Sequence, residues 1–378
     1  MTKSLVPLVA VVAACCCFAQ DASNGKKKVT SESDLPRYTY PVKGSVADLL
    51  RSEPDTFNAF ATKVARDLQS IFDNYDVEDK STMRKLLDAK LSLEELAGKN
   101  EEGLRTIEDI RSLEEKPDAR LMTDFTEKAI LQARLDSKAD SGTAYEEAFT
   151  HAFAEALNRL PWNVVQDRVK EMKGVQEVVN ANFLAGLANS EIQPAVDKSG
   201  AVDNQTAWTL LKFRCTLLYT VPLLPRAAPI VRSYIAAHTV EKPDIWKARE
   251  VTLTANDKLH PVLIGIWDSG VDTSVFPNQL YTDPQPGWHD PHGLAFDDQG
   301  GHSKSLLLPT TDAERKEYPS FLATLKGMQD QVSGVESVEA SAFRQKIASS
   351  PPDQVRTIFD KLKVYDPYVH GTHVAGIA

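Results

Sequence analysis

Phe57, Phe60, Val64, Leu68, Ile71 and Phe72 recur at three- and four-residue steps. They predict one amphipathic helix, with Glu53-Pro54-Asp55 as its start signal. Tyr145, Phe149, Ala152, Phe153, Ala156 and Leu160 make a second stripe behind Ser141-Gly142-Thr143. Between the two stripes, residues 81–99, 101–115 and 118–140 are rich in charge and suit solvated helices. Further helices are expected from Pro161-Trp162 toward 189, and from 205 to about 219. Residues 45–238 carry almost no period-2 alternation and no internal repeat, so an all-α region of about 45–244 is expected.

The pattern then changes. Pro222, Pro225 and Pro229 interrupt the helical period, and Glu241-Lys242-Pro243 reads as a linker. Residues 251–254 suit a short strand, and Ala255-Asn256-Asp257 a turn. Pro261-Val262-Leu263-Ile264-Gly265-Ile266-Trp267 is a continuous apolar run, as expected of a strand buried on both faces of a parallel sheet. A multi-domain chain follows: a helical region, a boundary near 245, and the start of an α/β domain over 245–378. Within the latter, residues 312–331 and 353–362 return to a helical pattern.

The first residues add an address. Lys3, the apolar run 5–14 and the small residues after it follow the order of a secretory signal peptide, residues 1–19. The run is shorter than the roughly 20 residues a membrane-spanning helix needs. Cys17-Phe18-Ala19 offers cleavage before Gln20, whereas Val12-Ala13-Ala14-Cys15 resembles a lipobox that would anchor the chain through a lipid on Cys15. Residues 20–44 read as a flexible tether. A secreted, periplasmic or cell-envelope location without a membrane span is expected.

The 378 residues are enough for two or three cores. With 43 Lys and Arg against 53 Asp and Glu, the net charge is −10, which argues against the basic face that nucleic-acid binding uses. Four cysteines, three of them at 15–17, leave no disulfide framework. Cys215 sits among leucines and reads as a packing residue, and His151 as an ordinary helix histidine.

Chemistry concentrates in two segments. The apolar run ends in Asp268-Ser269-Gly270-Val271-Asp272, and functional groups gather past the carboxyl ends of parallel strands. A phosphatase of the DxDxT kind is excluded because Gly270 replaces its second carboxylate. The second segment is His370-Gly371-Thr372-His373-Val374-Ala375-Gly376, whose small residues allow a helix to pack closely while His370 stands at its start. Two histidines three apart can ligate a metal, but a third ligand would be needed, and zinc motifs bring a Glu or Asp close by. His289, His292, Asp297, Asp298 and His302 are a further conceivable metal set, more simply read as polar loop residues.

Together, Ile264-Gly265-Ile266-Trp267-Asp268-Ser269-Gly270-Val271-Asp272 and His370-Gly371-Thr372-His373-Val374-Ala375-Gly376 resemble the Asp and His signatures of the subtilisin-like serine peptidases. The order Asp before His agrees with that family. The resemblance implies a subtilisin-like α/β domain, Asp268 as the triad aspartate, His370 as the general base, His373 in support, and polypeptide substrates. It implies no cofactor; the family also uses structural calcium, for which no site is assignable here. Trp267 stands where the family has a smaller apolar residue. The spacing of 370 − 268 = 102 residues is long and implies an insertion at about 283–366. The Gly-Thr-Ser-Met-Ala nucleophile segment and the oxyanion asparagine are missing, and Gly301-His302-Ser303 is only loosely similar. The expectation is the front part of a longer secreted endopeptidase, inactive by itself. The alternative is a helical interaction protein fused to a non-catalytic remnant of such an enzyme.

Overall fold

The computed structural model describes residues 25–240, 243–245, 247–254, 256–296, 301–303, 307 and 311–378. The signal peptide, the Cys15 anchor, most of the 241–243 linker, Asp297 and Asp298 lie outside these residues. The protein is mostly helical. In chain order come β1 (Lys27–Val29), β2 (Thr39–Pro41), α1 (Val46–Arg51), α2 (Pro54–Asn74), β3 (Tyr75–Val77), α3 (Lys80–Leu96) and α4 (Asn100–Leu113). Next are α5 (Pro117–Met122), α6 (Phe125–Ser137), α7 (Thr143–Asn158), α8 (Trp162–Val178), α9 (Ala181–Glu191) and α10 (Gln193–Ser199). β4 (Ala201–Asp203), α11 (Asn204–Cys215) and α12 (Leu224–His238) complete the first part. β5 (Ala295–Phe296), β6 (His302–Ser303), α13 (Asp312–Val332), α14 (Val338–Ser349) and α15 (Pro352–Ile377) follow.

The stripe on α2 buries Phe57, Phe60, Val64, Leu68 and Ile71 against α11 and the antiparallel β2–β4 pair, where Tyr40 faces Val202. The α7 stripe forms a second core with α6, α8 and α12, centred on Phe149, Phe153 and Leu157. The charge-rich helices are less solvated than their composition suggests. Leu87, Leu91, Ile107, Ile110 and Leu131 close a third core among α3, α4 and α6. Residues 25–44 are also no free tether from residue 25 onward. β1 pairs in parallel with β3, and Val29, Leu35, Tyr40 and Val42 are buried.

Two helical expectations are divided by local chemistry. The stretch 118–140 breaks at Asp124, which takes a left-handed conformation (φ 49°) between α5 and α6. The stretch from Pro161 breaks at Asn180, whose side-chain oxygen accepts hydrogen bonds from Asn182 N and Phe183 N and so restarts the chain as α9. The proline segment does not stop helix formation. Pro225 falls in the first turn of α12, where a missing N–H costs nothing, and Pro229 alone sits inside.

The fourth core joins the C-terminal helices to the middle of the chain. Phe321, Leu325, Phe343, Ile347, Val355, Ile358, Leu362 and Tyr365 from α13, α14 and α15 pack on Val178 and Phe183 of α8 and α9. Gly186 on α9 lies so near α15 that a Cβ there would press into Val355 and the Pro352 carbonyl.

The expected parallel strand is absent among the described residues. Residues 261–267 run without a ladder partner, and Val262, Leu263, Ile264 and Trp267 are 78, 69, 53 and 89 % exposed. A buried parallel strand requires a hydrogen-bonded neighbour and covered faces, and no described segment supplies either. Residues 251–254 are likewise not a strand. The only parallel pair described is the three-residue β1–β3 ladder.

Candidate active site

The loop after the apolar run is shaped by its own short-range bonds. Asp268 Oδ1 accepts from Ser269 N at 2.6 Å, and Gly270 takes φ 135°, a region that side chains avoid. Asp272 accepts from Ser274 N and Oγ, starting a single helical turn at Thr273–Val275. A long-range bond ties this loop to the C-terminal helix: Asp272 N donates to Thr372 Oγ1 at 2.9 Å.

That helix is α15, which runs unbroken from 352 to 377. His370 is therefore not at a helix start, as the sequence suggested, but in the last turns of a long helix. Its neighbour Gly371 makes the approach feasible. A Cβ on Gly371 would fall on the Gly270 carbonyl oxygen and lie 3.2 Å from Asp268 Cβ. Further along, Gly376 lies beside the Phe276 ring.

The two sequence-predicted residues meet. His370 Nδ1 is 2.6 Å from Asp268 Oδ1, across 102 residues of chain. The carboxylate side chain is 15 % exposed and the imidazole 60 %, so the acid is covered and the ring faces outward. The His370 hydrogen bond, followed by the Ser269 amide, holds the Asp268 carboxyl below its ordinary range. An aspartate bonded to Nδ1 favours the tautomer with its proton on that nitrogen, and leaves Nε2 as the basic position of the ring. His373 is exposed and makes no hydrogen bond among the described residues.

The histidines of the insertion make contacts within their own segment. His289 Nδ1 bonds the Asp290 carbonyl and His292 Nδ1 the Tyr281 carbonyl, both at 2.8 Å. His302 on β6 lies against Trp288 and Phe296, and Phe296 in turn stacks on Trp267 at 6.3 Å between ring centres. Trp267 thus touches the β5–β6 pair through Phe296 while staying 89 % exposed. No group of three His, Cys, Asp or Glu side chains able to hold a metal occurs among the described residues.

Sequence reasoning missed Thr372, whose hydroxyl ties the helix to the loop; its position inside the histidine motif was the available signal. It also missed a set of ionisable side chains in the helical region: Glu95, Asp124 and Glu127, which fall in stretches that read as solvated, and Lys212, which falls in the apolar helix around Cys215. Among the described residues no helix is long and apolar enough to cross a membrane. Compared with known protein families, with curated proteins and with solved structures, the chain matches none.

Proposed function

We propose that this chain is the N-terminal part of a secreted subtilisin-like serine endopeptidase and carries the acid and base of its catalytic triad. What supports the reading is the 2.6 Å bond between Asp268 and His370, two residues first selected from separate motifs. In the proposed reaction a serine hydroxyl attacks the peptide carbonyl while His370 Nε2 takes its proton, then returns it to the leaving amine. Asp268 holds the imidazole in the right tautomer and stabilises its protonated form without accepting the proton. The nucleophile and the oxyanion donors belong, on this reading, to a later part of the protein. Substrates are polypeptides, and no cofactor takes part.

The test is the reading frame that contains this chain. A downstream Gly-Thr-Ser-x-Ala segment should be present, and the protein bearing it should cleave peptide substrates and be labelled by a fluorophosphonate at that serine. Asp268→Asn should then lower turnover on the order of 10⁴-fold, and His370→Ala should remove most activity. The 378-residue chain by itself should show neither turnover nor serine labelling. A full-length protein that folds but cleaves nothing favours the alternative, a helical interaction protein with a non-catalytic remnant.

A further inference from the structure

Four carboxyl groups converge where α3, α4, α6 and α11 meet, in a region with no part in the proposed chemistry. Lys212 of α11 bridges two of them, 3.1 Å from Asp124 Oδ1 and 3.1 Å from Glu127 Oε1. The other two, Asp88 and Glu95, come from α3. Glu95 is 2 % exposed, its Oε1 has no hydrogen-bond partner, and it forms no ion pair among the described residues.

Arginines surround the cluster without ion-pairing to Glu95. Arg134 of α6 donates to the backbone carbonyl of Glu95 at 3.2 Å and lies over the Tyr219 ring at 4.0 Å. Arg111 of α4 donates to the Thr123 carbonyl at 2.9 Å and is a counter-charge to Asp124 and Glu127. Arg84 pairs with Glu114 at 3.0 Å and acts on Asp88. The Cys215 thiol donates to the Ser92 carbonyl at 3.3 Å and lies against the Glu95 carboxyl, and the Tyr145 hydroxyl of α7 lies beside Arg134. The cation that acts most on Glu95 is Lys212, already shared by two carboxylates. Ionising Glu95 would leave a buried negative charge with no ion pair of its own, beside two others.

We propose that Glu95 is a proton-operated latch: as a neutral acid it lets α3, α6 and α11 pack, and as a carboxylate it forces them apart. Burial first, and then the Glu127 charge, pushes the Glu95 carboxyl from 4.5 up to about 7. Burial and the Asp124 charge push Asp88 from 3.8 up to about 6. Over these windows the folded chain keeps protons that the unfolded chain releases. Stability therefore falls as pH rises from about 4.5 toward 7, and levels off above.

The experiment follows the thermal transition of the whole chain by circular dichroism between pH 5.5 and 8.5. The midpoint should fall by roughly 3–4 °C with rising pH. Glu95→Gln, which mimics the neutral acid, should remove most of that fall and melt above the native protein at pH 8.5. Asp88→Asn should flatten only the part below about pH 6.5. A native midpoint that holds steady or rises with pH overturns the proposal, as does a Glu95→Gln curve that follows the native one. A measurement on the unaltered chain covers the case in which the variant does not fold. Calorimetry near pH 6 in two buffers of different ionisation enthalpy should show net proton release on unfolding; uptake, or no exchange, overturns the latch.

Discussion

At Gly371 a single missing methyl group decides whether the Asp268–His370 pair exists. Its Cα faces the Gly270 carbonyl with no room for a side chain, so Gly371→Ala should lift α15 from the loop and part the two residues. The readout is the Asp268 carboxyl, followed by carbon NMR. In the native chain it should titrate below the ordinary aspartate range, because His370 hydrogen-bonds its ionised form. In Gly371→Ala and in His370→Ala it should move back up. The sign follows: a lowered folded value adds stability above the ordinary aspartate range, which is lost as pH falls through the folded value. Asp268 and His370 were legible in the sequence because each lies in a short motif whose neighbours have fixed roles. Glu95, Asp124 and Lys212 were not, because a mixed-charge helix does not reveal which of its faces will be covered before its partner helices are known.

Elements with one clear apolar face behaved as their spacing predicted. α2 and α7 start where their signals stand and bury most of the residues named, with Phe72, Ala152, Ala156 and Leu160 half-buried and Leu157 joining the α7 face unannounced. Phe153 is wholly buried between Phe125 and Phe149, with ring centres 5.2 and 5.4 Å away. Phe153→Ala should cost about 3–5 kcal/mol, measured by chemical denaturation. The length of α15 was not legible: its pattern fades after 362 and His370 reads as the start of another helix, yet one helix passes through Asp366-Pro367 to 377. Its anchorage on α9 supplies what local sequence lacked. Gly186→Val should wedge α15 away from α9, raise the Asp268 titration as Gly371→Ala does, and leave the far-ultraviolet spectrum largely unchanged.

On the scale of the whole molecule, three of the four apolar clusters lie within residues 25–240. The fourth is shared, with Val178 and Phe183 on one side and α13 to α15 on the other. Residues 25–240 expressed alone should therefore melt cooperatively with a strongly helical spectrum, at a lower temperature than the whole chain. A molten product would mean that the shared cluster is needed for the others to form. Composition and period allowed the helical region and the helices at 312–331 and 353–362 to be recognised, but not the packing of these helices on α8 and α9, because contacts between distant segments leave no local mark. The apolar run 261–267 is the opposite case. Its sequence asks for neighbours on both sides that the described residues do not provide, so its surface stays open to water.

The long terminal helix is, mechanically, a rod held at two places. The apolar core grips it as far as Val369, one residue before His370. The bond from Asp272 N to Thr372 and the close approach of Gly371 to Gly270 hold it just beyond. The imidazole stands between these two grips, so its 2.6 Å bond to Asp268 keeps its length only while core and loop stay in register. A displacement of α9 reaches the ring nitrogen as a mismatch between them.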